Sequence, residues 1–166
     1  LADRPTPDSV AAILRKHPVT VFYGVPTFYA GFLASPAAPQ LREVKFRRCV
    51  SAGEALPNEV GKRWRERYGC DILDGIGSTE MLHIFLSNRP GEVKYGTTGR
   101  PVPGYDLKLV DENGMPVNNG EMGELLIRGP SSAIMYWNNR EQSRSTFLGE
   151  WTRSGDKYME DEDGYF

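Results

Sequence analysis

The sequence has few of the residues on which several common kinds of site depend. It contains two histidines, His17 and His83, and two cysteines, Cys49 and Cys70, in 166 residues. So few histidines exclude a histidine-rich metal site, and the cysteine spacing matches no metal-ligand pattern. Both cysteines lie in apolar runs, so we predict buried free thiols rather than a disulfide. Free thiols are typical of a protein in the cytoplasm, which is reducing.

Long apolar runs and an excess of one charge are also absent from the sequence. No stretch approaches the roughly 20 apolar residues that a membrane-spanning helix needs. Lysine and arginine number 20 against 22 aspartates and glutamates, and no basic block stands out. We therefore expect no membrane span. We also expect no nucleic-acid partner, because nucleic-acid-binding domains concentrate positive charge on one surface.

The first half of the chain alternates between short apolar runs and helical patterns. Apolar runs at 20–23, 46–51 and 70–73 predict strands, the first of them buried. The clearest helical pattern begins at Pro57 and ends at Gly69, where glycine permits the left-handed conformation that terminates helices. This alternation predicts a parallel sheet covered by helices, in which ligands bind beyond the carboxyl ends of the strands.

Three predicted loops follow those strands, at 24–27, 51–56 and 74–80. The third combines two glycines with Ser78-Thr79-Glu80. Small residues let a backbone approach a phosphate, hydroxyls donate hydrogen bonds, and a carboxylate can hold a metal. The loop lacks the Gly-Lys-Ser/Thr of a P-loop and the third glycine of a dinucleotide-binding loop. An alternative interpretation is a plain helix N-cap, with the acid in the first turn.

The pattern changes near residue 96, where apolar and polar residues begin to alternate along short segments. This alternation predicts antiparallel strands. We therefore predict an α/β fold: a parallel sheet with flanking helices at 1–95, followed by an incomplete antiparallel β-barrel-like subdomain at 96–166. Near the end of the chain, Asp156 follows a predicted tight Ser-Gly turn. An aspartate there is usually a turn former, but it can also accept hydrogen bonds from ribose hydroxyls.

Several short motifs, taken in order, resemble those of the adenylate-forming acyl-CoA synthetase superfamily. Each motif alone is weak, but their common order along the chain makes the resemblance strong. Segment 74–85 is most similar to benzoate and 4-hydroxybenzoate CoA ligases. The motifs are Val25-Pro26-Thr27, the small-residue loop 51–57, Gly77-Ser78-Thr79-Glu80, Gly99-Arg100-Pro101, Gly123-Glu124-Leu125 with Arg128-Gly129-Pro130, Tyr136-Trp137-Asn138 and the segment 151–156.

The resemblance implies an ATP-dependent aryl-acid CoA ligase, which makes an acyl-adenylate and then a thioester with coenzyme A. Thr79 would bind the adenylate phosphate, Glu80 the Mg²⁺ and Asp156 the ribose hydroxyls. Many relatives have an aromatic residue where this sequence has Ile76. The remaining nucleotide contacts would come from Gly53, Glu54, Ala55, Asp74, Gly75 and Ile76, and the aryl-acid pocket would be lined by Gly77, His83 and Ile84. Without the resemblance, His83 would be interpreted as a core residue, since it lies in an apolar run.

The resemblance also implies that the chain is an internal fragment, missing the N- and C-terminal parts of its own protein. The family's phosphate-handling loop would precede residue 1, and its lysine-bearing C-terminal domain would follow residue 166. The fragment alone would then be inactive. Two alternatives remain open: another acyl-adenylating enzyme such as a fatty-acyl CoA ligase, and a non-catalytic nucleotide-binding module. The combination of Thr79, Glu80 and Asp156 argues against the second alternative.

Overall fold

The computed structural model describes residues 4–166, and these residues form two compact units. Unit 1 comprises the described residues up to Asp74 together with Asn88–Gly96, and unit 2 comprises Gly75–Ser87 together with Thr97–Phe166. The segment 75–87 therefore belongs to unit 2. No helix among the described residues is both long and apolar enough to cross a membrane.

Unit 1 is a parallel sheet with helices. Strand β1 pairs with β2 and β2 pairs with β3, both in parallel register. This arrangement confirms the prediction that the first half of the chain is α/β. The elements in chain order are α1 (Pro7–Lys16), β1 (Val21–Gly24), α2 (Pro26–Ala34), a 3-10 turn (Leu41–Glu43), β2 (Arg48–Ser51), α3 (Asn58–Tyr68) and the first part of β3 (Ile72–Gly77).

Helix α3 supplies the centre of the unit 1 core. It follows Pro57 and ends at Gly69, whose φ of +67° is the predicted left-handed terminator. Its Trp64 is fully buried and meets the Tyr29 ring edge-on, with the ring centroids 4.7 Å apart. Phe22 of β1 stacks on the other side of the indole at 6.1 Å. Large aromatic side chains in such contacts contribute strongly to core stability, so they hold helix and sheet together.

Strand β1 differs from its prediction. It was expected to be buried, but Val21 is 36% exposed and Tyr23 is 71% exposed. Within the described residues β1 pairs only with β2, and its alternate side chains point away from the aromatic core. Only the inward side, which carries Phe22, is covered. The apolar run identified a strand correctly, whereas burial of both faces depends on neighbours that composition does not reveal.

Unit 2 is built almost entirely from antiparallel strands, as predicted for the second half of the chain. The end of β3 pairs with β4, and β4 pairs with β5. A further sheet has four strands in the order β6-β7-β9-β8. Its core includes Phe85, Leu125 and Ile127, all fully buried. The elements are β4 (Ile84–Ser87), β5 (Arg100–Pro101), β6 (Asp106–Val110), β7 (Gly123–Arg128), α4 (Arg140–Thr146), β8 (Phe147–Leu148) and β9 (Trp151–Tyr158).

Candidate functional site

The carboxyl ends of the three parallel strands of unit 1 meet in register. Gly24 lies beside Ser51, and Ser51 lies beside Asp74. Both polar residues are buried, at 0% and 5% exposure, and the Ser51 hydroxyl has no hydrogen-bond partner among residues 4–166. A buried hydroxyl without a partner is uncommon, and a bound molecule can satisfy it. This edge is where parallel sheets receive ligands.

The loop after β2 carries three of the predicted nucleotide-binding residues, Gly53, Glu54 and Ala55. All three are exposed. Gly53 has a φ of +93°, a left-handed conformation that L side chains rarely adopt. Its α-carbon faces Val25 of the preceding loop, since a β-carbon built there would lie 3.8 Å from Val25 Cγ1. The structure thus brings loops 24–27 and 51–56 together at one edge of the sheet.

The prediction that residues 74–80 form a loop was partly wrong. Strand β3 runs from Ile72 to Gly77, so only Ser78-Thr79-Glu80 lie beyond its end. A β-carbon on Gly77 would lie 2.4 Å from the carbonyl oxygen of His83, and one on Gly75 would lie 3.0 Å from the carbonyl oxygen of Leu86. The glycines are therefore required by close backbone packing against β4 and its entry. The intervening Ile76 is half-buried against the unit 2 core.

A single turn follows β3. The Met81 N–H donates to Ser78 Oγ at 3.3 Å, which is the hydrogen bond expected of a helix N-cap. No helix follows, however, because the Leu82 N–H donates to the Thr79 carbonyl at 3.2 Å and Leu82 then adopts a φ of +72°. Positive φ in a branched residue costs roughly 1 kcal/mol or more and persists only where surrounding contacts impose it. Thr79 remains exposed at the top of this turn.

Glu80 is held by a segment from the far part of unit 2. The Tyr136 hydroxyl donates to Glu80 Oε1 at 2.5 Å, and the Ala133 N–H donates to the Glu80 carbonyl at 2.7 Å. The Tyr136 hydrogen bond is the main reason that the pKa of Glu80 is lowered from its ordinary value, with a smaller contribution from Ser78. The same bond raises the pKa of Tyr136. Glu80 is consequently an ionised carboxylate fixed at one oxygen.

A carboxylate of this kind is a suitable ligand for a hard cation such as Mg²⁺. Residues 4–166 contain no group of three histidine, cysteine or acidic side chains that could hold a metal by themselves. This fits Mg²⁺, which proteins usually hold through one or two carboxylates together with water and substrate phosphates. The donor set at Glu80 therefore suits a metal that arrives with a nucleotide.

His83 is exposed, so the interpretation as a core residue was wrong. A chain of polar contacts fixes its ring: Nδ1 donates to the Ile84 carbonyl at 2.7 Å, and Nε2 lies 3.1 Å from the Tyr105 hydroxyl. That hydroxyl lies 2.6 Å from Ser131 Oγ, which donates to the Met81 carbonyl at 2.6 Å. Both ring nitrogens are engaged, so the ring presents mainly its carbon surface to its other neighbours.

Gly77, His83 and Ile84 form one patch of unit 2, since Gly77 pairs with Ile84 in the β3–β4 register. This register shifts between Ile76 and Gly77, which leaves His83 in the turn before β4. The three residues that the resemblance assigned to an aryl-acid pocket are therefore neighbours, although they lie in a strand, a turn and a second strand.

Asp156 does not follow a tight turn, as the sequence had suggested. It lies within β9, at a β-bulge where the pairing with β7 shifts between Glu124 and Leu126. The Ser154 hydroxyl donates to the Leu125 carbonyl at 2.9 Å and accepts from the Asp156 N–H at 3.0 Å. The Asp156 side chain is exposed, and within residues 4–166 it makes no hydrogen bond to the Thr79-Glu80 turn. Bulges are enriched next to active sites because they redirect side chains.

Sequence reasoning missed the residues that hold the turn in place, above all Tyr136, Ser131 and Tyr105. Tyr136 stood in a recognised motif, but its partner Glu80 is 56 residues away. The motif itself was the only available signal, because a hydroxyl donor at this separation leaves no periodic pattern in the sequence.

Comparison with protein families and curated proteins gives consistent results. Residues 1–137 match the model of a family described as "AMP-binding enzyme". The chain is 61% identical to benzoate–CoA ligase from Thauera aromatica, and the match covers all of this chain and 32% of the relative. It is 53% identical to 4-hydroxybenzoate–CoA/benzoate–CoA ligase from Rhodopseudomonas palustris, covering 99% of this chain and 31% of the relative. The chain thus spans about a third of the length of these curated relatives.

Solved structures agree with these matches. A benzoate CoA ligase from Burkholderia xenovorans LB400 superposes with a TM-score of 0.97 at 63% identity, covering 99% of this chain and 34% of that one. The anthranilate CoA ligase AuaEII, solved in complex with anthranoyl-AMP, superposes with a TM-score of 0.91 at 48% identity, covering 96% of this chain and 31% of that one.

Proposed function

Since the chain belongs to the AMP-binding enzyme family, we propose that it is part of an ATP-dependent aryl-acid CoA ligase. The longer protein would convert an aryl carboxylate and ATP to an acyl-adenylate and pyrophosphate, and then transfer the acyl group to coenzyme A. Relatives at 61% and 53% identity carry the names of benzoate and 4-hydroxybenzoate CoA ligases, which supports this substrate class. The free thiols Cys49 and Cys70 support a reducing, cytoplasmic location.

The ionised Glu80, held at 2.5 Å by Tyr136, is the observation that carries the proposal. In adenylation, a substrate carboxylate oxygen attacks the α-phosphorus of ATP and pyrophosphate departs. Negative charge accumulates on the phosphoryl oxygens, and preorganised donors or cations stabilise it. Thr79 would donate its hydroxyl to that phosphate, and Glu80 would hold the Mg²⁺ that ATP brings. No general base is needed, because the attacking carboxylate is already ionised.

The nucleotide and acid contacts follow the two patches described above. In unit 1, we assign nucleotide binding to Gly53, Glu54, Ala55 and Asp74. In unit 2, we assign it to Gly75, Ile76, Thr79 and Asp156, of which Asp156 would accept from the ribose hydroxyls. The acid patch of Gly77, His83 and Ile84 suits an aromatic ring, because glycine leaves space and both His83 nitrogens are engaged.

The test is pyrophosphate exchange into ATP by the full-length protein, measured with a panel of carboxylic acids. We expect benzoate or a simple benzoate derivative to support the fastest exchange and medium-chain fatty acids to be much poorer. Faster exchange with fatty acids would replace the aryl-acid assignment by a fatty-acyl one. Absence of exchange with every acid, in protein shown to be folded by circular dichroism, would favour a non-catalytic nucleotide-binding module and contradict the proposal.

A further inference from the structure

Cys49 and Cys70 form a pair of thiols that adenylation does not use. Their sulfur atoms lie 3.7 Å apart, and both thiols are free. A disulfide bond measures about 2.05 Å. The sulfurs are therefore already in van der Waals contact, and a small side-chain adjustment separates contact from bonding.

The two thiols differ in accessibility. Cys49 lies in β2 and is fully buried. Cys70 lies between the end of α3 and the start of β3 and is half-buried. An oxidant from solution therefore meets Cys70 first, while Cys49 is positioned behind it as the second sulfur.

The two thiols also differ in ionisation. The hydrogen bond between them lowers the pKa of Cys70 and raises that of Cys49, and burial raises the pKa of Cys49 further. The indole N–H of Trp64 is buried and meets no acceptor at hydrogen-bond geometry within the described chain. It favours the negatively charged form of sulfur and lowers the pKa of both thiols. Cys70 is thus the thiolate, and a thiolate is the reactive form.

We propose that Cys49 and Cys70 constitute a dithiol site that hydroperoxides oxidise to an intramolecular disulfide. The Cys70 thiolate attacks one oxygen of the peroxide; a sulfur–oxygen bond forms, the oxygen–oxygen bond breaks, and the leaving oxygen is protonated. With hydrogen peroxide, this gives a Cys70 sulfenic acid and water. Cys49 then attacks the Cys70 sulfur, the sulfur–sulfur bond forms, and the hydroxyl leaves with the Cys49 proton as a second water.

A purely structural pair of buried cysteines would not combine these features. Small apolar side chains would fill the same space in the core, but they would not require one sulfur to be half-exposed. A buried indole N–H directed at sulfur would also serve no packing purpose. The site is independent of the proposed ligase activity, since it depends only on contacts within unit 1.

The experiment exposes the reduced full-length protein to hydrogen peroxide and maps both residues by peptide mass spectrometry. Tryptic cleavage after Arg48 and Arg67 places the two cysteines in separate peptides. We expect a disulfide-linked pair of these peptides that dithiothreitol separates. Overoxidation of Cys70 without a linked pair, pairing with other cysteines instead, or no reaction at peroxide concentrations that oxidise an exposed thiol would each overturn the proposal.

Three variants separate the roles of the thiols. Cys49→Ser should leave a Cys70 sulfenic acid that dimedone traps, whereas Cys70→Ser should react at least about tenfold more slowly, because it keeps only the buried thiol. Trp64→Phe keeps a ring in the core but removes the N–H, and should slow alkylation of Cys70. Equal peroxide reactivity of the two serine variants, or unchanged alkylation in Trp64→Phe, would contradict the assignment of Cys70 as the activated thiol.

Discussion

Removing the Tyr136 hydroxyl isolates the contact on which the proposed metal site depends. Tyr136→Phe keeps the ring, which packs against Phe147 with centroids 5.3 Å apart, and deletes the O–H that donates to Glu80. Hydrogen bonds to charged groups contribute roughly 1.5–3 kcal/mol. Both side chains are half-buried, so solvent screening reduces this to about 1–2 kcal/mol. That range corresponds to a factor of about 5–30 in rate or affinity.

We expect this loss to appear in the Mg²⁺ dependence of the full-length enzyme. The Mg²⁺ concentration for half-maximal pyrophosphate exchange should rise and kcat should fall, while the KM for the aryl acid should change little. Magnesium titrations at saturating ATP and acid measure all three quantities.

Tyr95→Phe is a matched control for Tyr136→Phe. It also removes a hydroxyl that donates to a carboxylate, here Asp71 at 2.6 Å, but the contact lies in unit 1. It should lower stability without changing the Mg²⁺ dependence. Equal Mg²⁺ dependence in Tyr136→Phe and the unsubstituted enzyme, or an equal shift in Tyr95→Phe, would refute the role given to Tyr136.

Other changes test separate parts of the structure. Gly77→Ala should destabilise the protein by roughly 1–3 kcal/mol in urea unfolding, because its β-carbon would lie 2.4 Å from the His83 carbonyl oxygen. Gly31→Ala in α2, whose nearest neighbour would be 3.9 Å away, should instead be neutral or stabilising. Ser154→Ala removes the hydroxyl that organises the β9 bulge, and should raise the KM for ATP more than the KM for the acid. The pKa of Glu43 is lowered by the Gln40 N–H and by Arg15, so its stabilising effect is present at neutral pH and is lost as the pH falls through the folded-state pKa. Glu43→Gln should therefore lower the thermal midpoint at pH 7 and matter less at pH 3.

The sequence predicted the parts of the fold that depend on local pattern. Helix α3, with Pro57 before it and Gly69 after it, could be recognised because helix termini select for these residues locally. The change from parallel to antiparallel architecture was visible as a change in apolar periodicity. The burial of β1 and the continuation of β3 through Gly77 could not be predicted, because each depends on which strand lies beside it.

The candidate site was predictable only in part, for a similar reason. Thr79, Glu80 and Asp156 stood in recognisable motifs, and the structure places Gly77, His83 and Ile84 together. The supporting contacts join distant parts of the sequence. A glycine required by backbone packing also has the same letter as one required by a phosphate, so the glycines near residue 76 suggested a loop where the structure has a strand.

The most direct test of the central claim is the formation of aryl-adenylate by Glu80→Gln in the full-length protein. Glu112→Gln, at an exposed position in a turn, is the matched control. Loss of a principal electrostatic contact in a catalytic centre typically costs about 10²–10³ in kcat. We therefore predict that Glu80→Gln forms benzoyl-adenylate at least about a hundredfold more slowly at saturating Mg²⁺, while Glu112→Gln retains the rate of the unsubstituted enzyme. Adenylate formation by Glu80→Gln at the unsubstituted rate would contradict the claim that Glu80 holds the metal of the adenylation centre.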